Sequence, residues 1–222
     1  MGKLIVIEGL DGSGKSTQLE LLAENLKAMG IDAKTISFPD YSEKSSTLVK
    51  MYLNGEFGEN AGDVNAYAAS LFYAVDRFAS FCCHWKDYYN NGGTVIAGRY
   101  VTSNAVHQTA KLPEEEWDTY LDWLYSLEYD KVSIPKPDLV LFLDMPTELS
   151  KKLLEKRYGG DECKKDIHEK DIEYQNNCRK AAMYNVEHAG WKAIPCSDNG
   201  QVRTIEDISK DVLSAALAKI KE

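Results

Sequence analysis

Near the start of the chain, eight residues read Gly9-Leu10-Asp11-Gly12-Ser13-Gly14-Lys15-Ser16, with Thr17 following. This spacing, G-x-x-x-x-G-K-S, is what a phosphate-binding loop requires. Glycines let backbone N–H groups turn inward around an anion. A helix beginning at Lys15 adds the partial positive charge of its N-terminus. On this reading Gly9, Gly12, Ser13, Gly14, Lys15, Ser16 and Thr17 hold the phosphates of a nucleoside triphosphate, with Lys15 bridging the β- and γ-phosphates and Ser16 ligating Mg²⁺. Average residue frequencies put a chance match on the order of one per cent. A glycine-rich turn that only caps a helix is the plainer alternative.

Other residues suggest a second phosphate-bearing ligand. Arg99, in Gly98-Arg99-Tyr100, follows a strand-like run. Tyr73 stands four residues before Arg77, which puts both on one helix face. Tyr73 could stack on a base while Arg77 hydrogen-bonds its edge. Ser103, Asn104 and Gln108 could read the base's polar groups. The plainer alternatives are core packing for Tyr73 and a surface ion pair with Asp76 or Asp87 for Arg77. A third basic group lies in KRYGGDECKK, with Lys156, Arg157, Lys164 and Lys165 around Gly159-Gly160. It reads either as a lid over phosphates, spanning about 156–166, or as a solvated charged loop.

These groups need elements to hold them. Apolar runs at Lys3–Ile7, Ala33–Phe38, Thr94–Ala97, Asp138–Leu143 and Trp191–Pro195 read as strands. Between them, helical patterns cover Lys15–Met29, Asn65–Tyr89, Glu114–Tyr125, Thr147–Arg157, Asp166–His188 and Thr204–Ile220. Leu19, Leu22, Ala23 and Leu26 show the helical period in the first. Strands buried on both faces, joined by helical crossovers, predict an α/β fold with a doubly wound parallel sheet of about five strands. Ligands in such sheets bind at the carboxyl ends of the strands.

The chain has 222 residues, 44% of them hydrophobic and 27% charged, as expected of one α/β domain spanning 1–222. A net charge of −9 disfavours a nucleic-acid polymer as partner. The apolar run after Met1 is too short for a signal peptide or membrane span, so the expectation is a cytoplasmic protein with no membrane partner. Five cysteines without a CxxC pair read as reduced thiols rather than a zinc site.

In this order and spacing, the segments resemble the thymidylate kinase family of nucleoside monophosphate kinases over almost the whole chain. They are IEGLDGSGKSTQ, the Phe38-Pro39-Asp40-Tyr41 segment, LFYAVDR, GRYVTSNAVHQ, KPDLVLFLDMP and the acidic pair Asp166 and Glu169 that ends the lid. The resemblance implies transfer of the γ-phosphoryl group of MgATP to dTMP. It places Asp11 near the sugar 3′-hydroxyl and the metal, and Tyr41 and Arg99 at the acceptor phosphate. It stacks Tyr73 on the base, bonds Arg77 to it, and sets Phe38, Ser103, Gln108 and Asp166 around the acceptor. Lys15 and the lid's Arg157, Lys164 and Lys165 would neutralise the transferred group. Gly12 stands where some members carry an arginine, and a basic lid is the family's other solution. Homodimers that pack long helices together are usual in the family.

The chain departs from the family at Gly98, where members carry an aspartate, and at His107, where tyrosine is common. The first departure would pass metal positioning to Asp11, Asp144 or water. Two alternatives therefore accompany dTMP phosphorylation: the same chemistry on another nucleoside monophosphate, and nucleotide binding without turnover. The base-reading Asn-Lys-x-Asp of GTPases is absent from the sequence.

Overall fold

The computed structural model describes residues 1–58, 60, 62–158 and 172–222, the side chains of 156–158 and 172 excepted. The first half of the chain forms β1 (Lys3–Gly9), α1 (Lys15–Ala28), β2 (Ala33–Ser37), α2 (Thr47–Leu53), α3 (Ala66–Ser80), α4 (Lys86–Asn90), β3 (Thr94–Gly98) and α5 (Val101–His107). The second half forms α6 (Trp117–Tyr125), β4 (Leu139–Asp144), α7 (Thr147–Tyr158), α8 (Ile172–His188), β5 (Lys192–Pro195), a short hairpin of β6 (Ser197–Asp198) and β7 (Gln201–Val202), and α9 (Ile205–Ile220).

Strands β1 to β5 make one sheet in the order β2-β3-β1-β4-β5, and each neighbouring pair is parallel. Alternation along β1 divides the core. Leu4 and Val6 join the cluster containing Tyr100, Val106, Leu124 and Cys178, on the side of α5, α6 and α8. Ile5 and Ile7 join Leu22, Leu26, Ile208 and Val212, on the side of α1 and α9. The expectation of strands buried on both faces holds for β1, β3 and β4. It fails for β2, where no residue is buried, because an edge strand is covered on fewer sides.

The register sets Ile7 beside Gly98 and Gly9 beside Leu143, so β1, β3 and β4 end close to one level. Helix α1 leaves β1 toward one face of the sheet, and α5 leaves β3 toward the other. Neighbouring strands whose connections diverge in this way create the crevice at which such sheets bind ligands. The helix expected over Asn65–Tyr89 is continuous but not uniform: a π-helical turn, Phe81–Trp85, separates α3 from α4. Phe81, Trp85 and Tyr89 recur at steps of four and their rings meet edge to face at 4.6 and 6.0 Å. Because an α-helix turns in 3.6 residues, a widened turn keeps the three rings on one face. A second π-helical turn, Ser126–Lys131, extends α6.

Candidate active site

The loop between β1 and α1 is built for an anion. Gly14 opens α1 at φ 89°, and no side chain caps the helix, so its first-turn N–H groups remain for a ligand. Gly12 has φ +79°, and a Cβ there would lie 2.7 Å from the Ser150 carbonyl oxygen of α7. Position 12 thus has no room for an arginine, which explains its glycine. Lys15 Nζ donates to the carbonyl oxygens of Gly9 and Leu10 at 2.8 and 2.7 Å and lies 3.8 Å from Asp11. Ser16 and Thr17 are exposed, and both line the cleft. Ser13 is buried, and its hydroxyl finds no hydrogen-bond partner among the described residues.

This loop borders a cleft of about 680 Å³ that also receives Phe38, Tyr41, Tyr73, Arg77, Arg99, Ser103, His107 and Gln108. The structure therefore brings both predicted groups of residues to one place. Arg99 makes the link. Its backbone sits in the left-handed region, at φ 63°, and its N–H donates to the Ile7 carbonyl. Its guanidinium pairs with Asp11 of the phosphate loop, and Glu8 lies 3.9 Å away. Burial alone would lower the Arg99 pKa, but the carboxylates of Asp11 and Glu8 more than offset this and raise it.

Arg99 also meets His107, with Nη1 3.0 Å from Nε2. A guanidinium only donates, so Nε2 must accept and the proton is assigned to Nδ1, which faces Cys178 Sγ at 3.5 Å. Burial pushes the Cys178 thiol far above its ordinary pKa and keeps it protonated. Tyr174 donates to the His107 carbonyl at 2.6 Å. These contacts fix the imidazole as one wall of the cleft.

Glu8 is a carboxylate near the cleft to which the sequence assigned no role. It is fully buried and accepts from Thr102, Ser103 and the Gly9 N–H at 2.9, 2.7 and 3.0 Å. Ser103, expected to read a base, thus donates its hydroxyl proton to Glu8 and keeps only acceptor capacity for a ligand. Gln108 also lines the cleft. It is buried against the cleft, and its Oε1 finds no partner among the described residues. Tyr73 lines the cleft with its ring edge-on to Tyr52 at 6.4 Å, and Tyr41 is exposed at the rim.

The surface ion pair considered for Arg77 does not form. Arg77 is buried, and its partner is Glu128 of the second π-helical turn, while Asp76 accepts from the Asp40 N–H and the Ser45 hydroxyl. The apolar spacing Leu121, Leu124 and then Glu128 was the available signal, since an acid on a buried face needs a cation. Asp144 is likewise engaged, held by Arg179 through two hydrogen bonds of 3.0 and 3.1 Å. Among the described residues no cluster of three or more His, Cys, Asp or Glu side chains could hold a metal. Mg²⁺ needs no such cluster, because it keeps waters and phosphate oxygens beside one or two protein oxygens. The Ser16 hydroxyl, with Asp11 in the same cleft, fits that requirement. Arg157 falls in the last turn of α7 with its side chain outside the described residues, and Lys164, Lys165 and Asp166 lie outside them altogether.

A phosphate loop opening α1, a parallel sheet ordered 2-3-1-4-5 and an arginine-lined acceptor cleft define the P-loop nucleoside monophosphate kinase class. The thymidylate kinase family profile matches residues 7–207. The chain belongs to the thymidylate kinase family. It is 32% identical to a thymidylate kinase of Mycobacterium tuberculosis over 196 residues, covering 85% of this chain and 87% of that one. It is 27% identical to a Dictyostelium discoideum thymidylate kinase, across 100% of this chain and 87% of the relative. The solved thymidylate kinase of Candida albicans superposes with a TM-score of 0.74 at 26% identity, over 100% of this chain and 94% of that one.

Proposed function

We propose that this chain transfers the γ-phosphoryl group of MgATP to dTMP, giving dTDP and ADP. The contact between Asp11 and Arg99 carries this reading, because it joins the donor loop to the acceptor pocket. In the reaction an oxygen of the acceptor monophosphate bonds to the γ-phosphorus as the bond to the β–γ bridging oxygen breaks. Such chemistry is mostly positioning and neutralisation of charge. Lys15 exchanges the Gly9 and Leu10 carbonyls for β- and γ-phosphate oxygens. Ser16 and Asp11 would hold Mg²⁺, which would offset the negative charge of the phosphates.

On the acceptor side, Arg99 and Tyr41 hold the monophosphate, and Asp11 lies near the sugar. Tyr73 stacks on the base, and Phe38 lines the same cleft. Arg77 only donates, so it selects a base edge bearing a carbonyl. Gln108 and Ser103 complete the polar lining. The cations of the segment expected to form a lid, Arg157, Lys164 and Lys165, would neutralise the transferred group, with Asp166 among the residues expected at the acceptor.

A homodimer is part of this proposal. Leu71, Val75 and Phe78 are exposed at spacings of four and three on α3, which forms one apolar stripe suited to a second copy. Action in the cytoplasm is the companion expectation. Among the described residues no helix is long and apolar enough to cross a membrane.

The test is ADP release from MgATP across a panel of common nucleoside monophosphates. The expected result is stimulation by dTMP above the rest, and no stimulation by dTMP or dUMP would overturn the reading. The same panel separates dTMP phosphorylation from another acceptor, and from binding without turnover.

A further inference from the structure

Arg77 is the largest buried cationic side chain in the acceptor cleft, and the structure shows how it is held. Its Nε and Nη2 both donate to the Glu128 carboxylate, the first at 2.7 Å, and Nη1 donates to the Tyr100 carbonyl at 3.2 Å. Arginine and glutamate are 1% and 0% exposed. A guanidinium has five N–H donors in one plane. Three are taken by these contacts, which leaves one N–H on each terminal nitrogen. Because Arg77 lines the cleft, the edge formed by those two nitrogens is the one available to a ligand.

The anchors come from elements other than α3. Glu128 projects from the π-helical turn Ser126–Lys131, and Tyr100 directly follows the phosphate-facing Arg99. The plane of the guanidinium is thereby fixed relative to both the base pocket and Arg99. A bidentate carboxylate fixes a plane, whereas a single hydrogen bond would leave it free to rotate. Burial opposes the charge on Arg77, and Glu128 more than restores it, so the arginine stays a donor at every pH of interest.

The geometry points to Glu128 as a positioning residue that sets acceptor-base selectivity through Arg77, which rests on the function proposed above. Held by its side edge, Arg77 offers two parallel donors from a fixed position. A pyrimidine with a carbonyl at that edge accepts from them. Cytosine presents an amino group there and meets donor with donor. A loosened guanidinium could turn away from the amine, so selectivity would fall along with affinity. A π-helical turn is a fitting place for such a group, because widened turns recur where a side chain must be aimed at a site.

The test is Glu128→Gln in the full chain, assayed with MgATP and either dTMP or dCMP. Glutamine keeps the shape, accepts one of the two bonds and turns an N–H toward the other donor. The dTMP KM is expected to rise about tenfold or more, and the preference for dTMP over dCMP in kcat/KM to fall by a similar factor. With kcat and the ATP KM expected to stay within about threefold, the effect would fall on the acceptor alone. Glu128→Asp, which keeps the charge, should recover part of the preference. A folded Glu128→Gln with unchanged dTMP KM and unchanged preference overturns the inference, as does a loss shared equally by the ATP KM. Should Glu128→Gln not fold, Arg77→Gln and the Arg77→Gln/Glu128→Gln pair give the same information. Equal dTMP KM in these two supports action through Arg77, and a further rise in the double variant overturns it. The wild-type control separates the two levels: failure of wild type to use dTMP removes the proposed function, whereas an active wild type with an indifferent Glu128 removes only this inference.

Discussion

Asp11 of the phosphate loop and Arg99 at the end of β3, 88 residues apart in the chain, are an ion pair across the cleft. Lys15 leans on the same carboxylate from 3.8 Å, and His107 meets the arginine from the other side. These groups satisfy one another. Bound phosphates would redistribute the cations, and Asp11 would pass from an arginine partner to the sugar and the metal.

Arg99→Ala should lower kcat/KM for dTMP by more than about tenfold, equivalent to about 1.4 kcal/mol of transition-state stabilisation. Alanine inherits the left-handed backbone at φ 63° and carries the same strain, so the comparison isolates the guanidinium. Steady-state kinetics with varied dTMP at saturating MgATP would show it. Kinetics equal to wild type would place the acceptor phosphate elsewhere.

Gly98→Asp restores the carboxylate that the family carries beside this arginine. A Cβ at 98 would lie 3.3 Å from Leu19 Cδ2 and 3.4 Å from Ser37 Oγ, so the flexible end of Leu19 need yield only a few tenths of an ångström. The new acid would share Arg99 and release Asp11 toward the metal. The expected outcome is a kcat about threefold or more above wild type with a lower Mg²⁺ requirement, measured by titrating Mg²⁺ at fixed nucleotide. A fall in kcat would mean that Asp11 and Glu8 already supply all the negative charge the site tolerates.

The parts of this architecture that were legible in the sequence are those fixed by neighbours along the chain. Gly9 to Ser16 carry their own geometry, and the runs in β1, β3 and β4 are continuous because both faces are covered. Helix α5 left no amphipathic period, because Val101, Thr102, Asn104, Ala105, Val106 and His107 are all buried. The hairpin β6–β7 has a local signal in the sequence. Asn199-Gly200 have φ 49° and 76°, the two positive values that a tight hairpin turn asks of those residue types. The Arg77–Glu128 pair spans 51 residues, and only the fold decides which acid meets which base over that distance. Sequence spacing offered Asp76 and Asp87 as partners, but side chains one position apart on a helix do not face each other.

Val75→Glu should yield a monomer. Leu71, Val75 and Phe78 are 46, 54 and 45% exposed, an apolar stripe whose middle residue packs under nothing in the single chain. A charge there costs the fold little and an interface much. Light scattering after gel filtration should give twice the chain mass for wild type and the single-chain mass for the variant, with thermal stability of the monomer nearly kept. A wild-type monomer would mean that the stripe serves another contact.

Lys111 gives the fold a distinctive pH dependence. Its ammonium is largely shielded from water, donates to Tyr52 Oη and the Val64 carbonyl at 2.8 and 3.0 Å, and has no carboxylate partner among the described residues. Burial lowers its pKa from 10.5 to about 8. Below pH 8 the lysine is charged in both folded and unfolded chains, and the full cost of burying the charge is present. Between about 8 and 10.5 the unfolded chain binds the proton and the folded chain does not, so stability rises with pH through that window. Buried tyrosines such as Tyr100, Tyr129 and Tyr174, whose pKa values burial raises, act oppositely once pH passes 10. The difference between wild type and Lys111→Met removes that background. Urea melts from pH 7 to 10 should show the gap in stability closing in favour of wild type as pH rises. A gap independent of pH would mean that Lys111 titrates at its ordinary value and that water reaches it.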